Sequence, residues 1–198
     1  MLPNVTNLPL LAGVKFGLKV HLEHRILIFV DESGFYLLPA TVRTYAPCGH
    51  TPILRAFLTH DYLSVISRIT PQGWLFTITR DDSMNGLDSA HFLKHLFWQL
   101  DSKLLVIWDG APIHRIQCVK DYLANCATKH IHLERLPAYA LDLNPDEGVW
   151  NHLEYVELKN MCCSDLNHLH QELNLAILRL RHKPGLIQSF FTLAGLSI

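Results

Sequence analysis

Three carboxylates stand where this 198-residue chain could build a hydrolytic or group-transfer site. Two runs of five apolar residues, Ile26-Leu27-Ile28-Phe29-Val30 and Leu104-Leu105-Val106-Ile107-Trp108, each end in an aspartate, Asp31 and Asp109. Apolar runs without alternation read as strands covered on both faces. If a crossover makes them parallel neighbours, about 4.8 Å apart, their aspartates emerge together at the C-terminal edge of the sheet, where α/β sites form. Two like charges so close repel each other, and a divalent cation between them removes that cost. Hard oxygen ligands select Mg²⁺ or Mn²⁺. Glu147 is the candidate third acid, because a helix start can aim a carboxylate at the sheet edge, and three acids can hold two cations.

Each acid also has a purely structural reading. An Asp after a buried strand often caps a turn or the next helix. In Asn144-Pro145-Asp146-Glu147, with Asn as N-cap and Pro at the first helical position, Glu147 falls at the capping-box position and could serve the helix alone. The three together, on two strand ends and a helix start, favour the chemical reading. Glu32 and Asp146, beside two of these acids, are expected to face outward or to support the site from behind.

The elements that must position these residues follow from periodicity. Residues 1–24 carry turn formers and weak patterning and read as a lead-in; residues 25–198 read as the domain. Strands are expected at 26–30, 35–38, 51–54, 63–67 and 74–78, a meander broken by Pro39, Pro47-Cys48-Gly49 and Pro71-Gln72-Gly73. Asp88 opens a helix with Phe92, Leu93, Leu96 and Leu100 on one face. Strand 104–108 follows, then a helix through Ile116, Val119, Leu123 and Ala127, and a short strand at 131–133. Asn144-Pro145 opens a helix with Val149, Trp150, Leu153 and Val156 inward. A longer helix begins near Ser164, and Pro184-Gly185 separates it from a last one over 186–193. Hairpin strands, a crossover helix and terminal helices make an α/β domain with a mixed sheet.

Composition limits the partners. With 17 Lys+Arg against 18 Asp+Glu and a net charge of −1, the chain is no polybasic binder held by bulk charge. Apolar residues make up 49%, enough for a sizeable core. Neither a signal peptide nor an apolar run of membrane-spanning length is expected, and five cysteines without a C-x-x-C pair suit a reducing, intracellular compartment.

Four segments carry a resemblance: Asp31-Glu32-Ser33-Gly34-Phe35, Arg43-Thr44-Tyr45-Ala46-Pro47-Cys48-Gly49, Trp108-Asp109-Gly110-Ala111-Pro112-Ile113-His114, and Leu143-Asn144-Pro145-Asp146-Glu147-Gly148-Val149-Trp150. In this order they resemble the catalytic domain of mariner-related bacterial insertion-sequence transposases, DDE endonucleases. The resemblance implies a ribonuclease H-like fold, a mixed five-stranded sheet flanked by helices, with Asp31, Asp109 and Glu147 as catalytic metal ligands. The last two are 38 positions apart, from 109 to 147, which suits that superfamily. It further implies two Mg²⁺ or Mn²⁺ ions, phosphodiester hydrolysis followed by strand transfer at element ends, and DNA as partner. A homodimer, a separate helix-turn-helix module, which residues 1–24 are too short to contain, and a bacterial cytoplasmic location belong to the same expectation. The chain departs from the family at Leu141, where relatives carry Pro, and at His152-Leu153-Glu154-Tyr155, a stretch commonly basic in them. Two rival readings are a catalytically silent remnant that regulates by binding DNA or transposase, and a nuclease for RNA:DNA hybrids.

Among the remaining polar residues, Arg43, His114 and Asn144 lie within the matching segments and Arg115 directly follows one; these four are the candidates for contact with DNA. The other histidines lack zinc-ligand spacing, and the cysteines read as structural. Arg179, Arg181 and Lys183 cluster at a helix end, where they complement its dipole. Trp108 and Trp150 read as core.

Overall fold

The computed structural model describes residues 20–56, 59–100, 102–108, 117–122, 130–136 and 141–196. Its centre is a five-stranded sheet in the order β3-β2-β1-β4-β5, built from β1 (Ile26–Tyr36), β2 (Tyr62–Ile69), β3 (Leu75–Arg80), β4 (Leu104–Trp108) and β5 (Ile131–Arg135). β1, β2 and β3 pair antiparallel, whereas β1, β4 and β5 run parallel, so the sheet is mixed as expected. The chain reaches β4 from β3 through helix α1 (Gly86–Leu100), and α2 (Gln117–Tyr122) lies between β4 and β5 in sequence.

Alternation along the strands divides the core in two. On one face Ile28, Val30, Ile66, Val106 and Trp108 pack with Phe92, Leu93 and Leu96 of α1. On the other, Leu27, Phe29, Val65, Ile69, Leu105 and Ile107 meet α3 (Asp146–His152), α4 (Leu166–Arg181) and α5 (Pro184–Leu193). A single π turn, Leu153–Glu157, follows α3 and is closed by Leu158 N donating to Leu153 O at 2.9 Å. α4 starts at Asp165, whose carboxylate accepts from His168 N at 2.8 Å. α5 meets α3 where the latter has no side chain: a Cβ on Gly148 would stand 2.6 Å from the Phe190 ring.

Two expected strands are corrected. The segment 35–38 is not separate, because β1 runs unbroken from Ile26 through Asp31-Glu32-Ser33-Gly34 to Tyr36. Eight consecutive rungs with β2, from Phe29↔Ile69 to Tyr36↔Tyr62, override the local turn signal of Ser33-Gly34. Residues 51–54 form no strand; they belong to a long connection from β1 to β2 in which Tyr45 and Ile53 are exposed. That connection is anchored near its start, where Asn160 bridges both backbone groups of Val42: its Oδ1 accepts from Val42 N at 2.8 Å and its Nδ2 donates to Val42 O at 2.9 Å. Cys48, Cys162 and Cys163 are free thiols, and among the described residues no helix is long and apolar enough to cross a membrane.

Candidate active site

Parallel pairing of β1 with β4 runs from Ile26↔Leu104 to Val30↔Trp108. Asp31 is the next residue, and from there the described pairing of β1 is with β2. Its side chain follows Leu27 and Phe29 onto the α3 face and is only 8% exposed. Trp150 of α3 donates its indole Nε1–H to Asp31 Oδ2 at 2.9 Å, and its ring stands edge-on to Phe35. Trp150 is therefore core, as expected, and also a partner of the first candidate acid.

Helix α3 starts on a local device. Asn144 Oδ1 accepts from Asp146 N at 3.2 Å, and Pro145 already has helical angles, φ −68° and ψ −16°. This is the Asn-Pro opening the sequence suggests. The capping box is not made: among the described residues no hydrogen bond returns from the Glu147 side chain to Asn144. Glu147 instead lines a groove with Asp31, Glu32, Trp150, Asn151 and Glu154, so the structure brings the first and third candidate acids to one cleft. On its other side Glu147 borders a second, wider groove with Asp142, Asn144, Asn151 and His152.

The electrostatics of the groove are those of neighbouring carboxylates. Four carboxylates line the first groove, and no Lys, Arg or His is among its described lining residues. Burial raises the Glu147 pKa, and Asp142 adds to it; burial likewise raises that of Glu154, with Glu147 adding repulsion. Asp146, expected outside the site or behind it, is fully buried and accepts a hydrogen bond from Ser67 Oγ. The outward alternative is thus corrected. Burial pushes the Asp146 carboxyl well above the usual carboxylate range, Asp31 raises it further, and the Ser67 bond opposes both. Asp146 Oδ2 and Asn144 Nδ2 are buried with no hydrogen-bond partner among the described residues, a costly state unless something else supplies one.

These features fit a divalent cation: hard oxygen donors brought together and repelling one another. Among the described residues no group of three His, Cys, Asp or Glu side chains could by itself hold a metal ion. Asp109, His114 and Arg115 lie outside the described residues. Arg43 is exposed on the β1–β2 connection and does not line the acid groove. Asn144 is 3% exposed and is occupied in capping α3. The basic cluster has a structural partner as well: Glu157 binds Arg179 at 2.6 Å, Lys183 at 3.2 Å and His152 at 3.3 Å, tying the π turn to α4.

A family profile described as DDE superfamily endonuclease matches residues 26–170, most of the chain and both described acids. The chain belongs to this family. A search of the curated proteins finds no match. Among solved structures, this DDE-family chain is similar to the mariner Mos1 paired-end complex with Mg, with a TM-score of 0.63 at 16% identity over 96% of this chain and 60% of that one. It is also similar to the paired-end complex with Mn, with a TM-score of 0.60 at 16% identity over 97% and 63%. The isolated catalytic domain of Mos1 transposase gives 0.57 at 15% identity over 96% and 91%. At these identities the likeness establishes the fold, the ribonuclease H-like arrangement the sequence implied. The chain spans about 60% of the length of the transposase chains in the paired-end and strand-transfer complexes.

Sequence reasoning missed Ser67, and it left Asp146 open between facing outward and supporting the site from behind, of which the structure has the second. Ser67 carried no signal within its own strand. Asp146 did carry one, since 146, 149, 150 and 153 follow the i, i+3, i+4, i+7 stripe that α3 buries.

Proposed function

We propose that this chain is the catalytic part of a metal-dependent DNA endonuclease and strand transferase, a transposase that cuts and joins element ends. The observation that carries the reading is the shared groove of Asp31 and Glu147, acid-lined and without a basic residue among the described ones. Asp109 completes the triad in this proposal.

When bound, Mg²⁺ or Mn²⁺, two ions in this proposal, would supply Lewis-acid chemistry at a phosphodiester. The chain's own residues hold and orient. Asp31, fixed by the Trp150 indole, and Glu147, presented by the first turn of α3, would be ligands lining the one groove. Sheet and helix are rigid supports, so the carboxylates need little reorganisation when DNA arrives. Binding of DNA ends, a second protomer and a separate helix-turn-helix module belong to the same proposal; the paired-end complexes of Mos1 have the same fold. The test is single-strand nicking and joining of DNA carrying candidate terminal repeats, with Mg²⁺ or Mn²⁺ and with chelator. Metal-dependent nicking with 3′-hydroxyl ends supports the reading. Cleavage that survives chelation, or that requires an RNA:DNA hybrid, overturns it.

A further inference from the structure

We propose that Ser67, Asp146 and Trp150 are positioning residues that fasten α3 to one rung of the sheet and so set where Glu147 stands relative to Asp31. This rests on the reading of Asp31 and Glu147 as metal ligands. Asp31 and Ser67 are Cα partners across the antiparallel β1–β2 pair, so their side chains leave the same face about 5 Å apart. Asp146 and Trp150 are four residues apart on α3, a spacing that sets side chains on one helix face about 5–6 Å apart. The two pairs match in spacing and are joined crosswise. Ser67 Oγ–H donates to Asp146 Oδ1, and Trp150 Nε1–H donates to Asp31 Oδ2.

All four side chains are buried, so neither bond is weakened by competition with water. Elsewhere the helix is held by Phe190 of α5 against Gly148. With both contacts made, α3 has little freedom to roll or slide. Glu147, about 100° around the helix from Asp146, is then directed along the groove wall. Apolar residues at 67 and 146 could fill the same space, but they would leave the helix free to slip along its axis. The two bonds also make Trp150 a reporter, because its indole proton rests on the carboxylate that meets the metal.

The experiment uses the full chain labelled with ¹⁵N and follows the indole Nε1–H resonances of its four tryptophans during Mg²⁺ titration. The resonance lost in Trp150→Phe identifies Trp150. Asp31→Asn should move that resonance by several tenths of a ppm in proton shift, with the other three nearly fixed; no movement overturns the fastening. Ser67→Ala and Trp150→Phe should each raise the Mg²⁺ concentration at half-saturation about tenfold, with Tm recorded to confirm folding. Folded variants that saturate at the parent's concentration overturn the positioning role. If the parent itself shows no Mg²⁺-dependent shift, the metal-site reading falls. The fastening is then judged by the Asp31→Asn shift and by amide exchange in the first turn of α3, which Ser67→Ala must accelerate at least tenfold.

Discussion

The two faces of the sheet are built from alternate residues of the same strands yet differ in kind. Against α1, Ile28, Val30, Ile66, Val106 and Trp108 meet Phe92, Leu93 and Leu96 in a continuous apolar layer. Against α3, the apolar series Leu27, Phe29 is followed by Asp31, the series Val65 and Ile69 is interrupted by Ser67, and the helix answers with Asp146 and Trp150. The first face gives stability by burial alone. The second gives up part of that stability to hold carboxylates close together in a partly dry groove, at the place where β1 leaves β4. The proposed chemistry is thus confined to one face, and substitutions should separate it from the apolar packing of the other.

The largest effect is expected at Asp109→Asn. With Asp109 as the third member of the proposed triad, losing its charge removes metal-dependent cleavage by at least about a thousandfold, some 4 kcal/mol of barrier, while Tm holds or rises. Single-turnover nicking and a thermal melt of the same sample measure both. A comparable fall in stability would make Asp109 a structural residue. On the opposite face, Phe92→Ala should cost about 3–5 kcal/mol in urea unfolding, because Phe92 is fully buried and stacks near Phe76, while the nicking rate per folded molecule changes little. A large loss of rate in a still-folded Phe92→Ala would dissolve the contrast between the faces.

Gly148→Ala sharpens the comparison from behind α3. A methyl group 2.6 Å from the Phe190 ring must displace helix or ring, at about 1–3 kcal/mol, and the displacement moves Glu147. Nicking should therefore fall more than the stability change accounts for, and pairing the change with Phe190→Leu should restore part of both.

The smallest effect is that of pH. A carboxyl whose pKa is raised by folding contributes stability that is fully present below its unfolded value, near 4, and lost as pH rises through its folded value. Asp146, Glu147 and Glu154 are raised in this way. Glu157 and Asp165 are lowered, so they remain ionised at pH 5 and their contribution is kept there. Tm should therefore rise as the pH is lowered from 7 to 5. A fall over that interval would mean that the groove acids are stabilised as anions.

How far these features were legible in the sequence depended on whether the deciding contacts were local. β4 stands at residues 104–108, as its apolar run required, and the Asn144-Pro145 opening of α3 is local chemistry read directly from its residues. β1 was read short because Ser33-Gly34 looks like a turn until β2 is there to pair with it. The strand expected at 51–54 failed for the converse reason: it has strand-like composition and no described partner. Asp31 and Glu147 were found from their positions at element ends. Asp146 was legible only in part, because its side follows from the helix rather than from its neighbour: residues on a helix turn by about 100°, so 146 joins 149 and 150 inside while 147 is less buried.

The central claim is that the groove between Asp31 and Glu147 is a metal-dependent phosphodiester site rather than a helix start with an acid nearby. Its most direct test compares Mn²⁺-dependent nicking by the parent chain and by Glu147→Gln, with any DNA-binding module supplied and Tm measured alongside. Gln keeps the size and hydrogen bonding of Glu and removes the charge. The account predicts an unchanged or slightly higher Tm, since repulsion of Glu154 and Asp146 is relieved, and loss of cleavage by at least about a hundredfold. Cleavage by Glu147→Gln at near the parent's rate, with Tm intact, would contradict it.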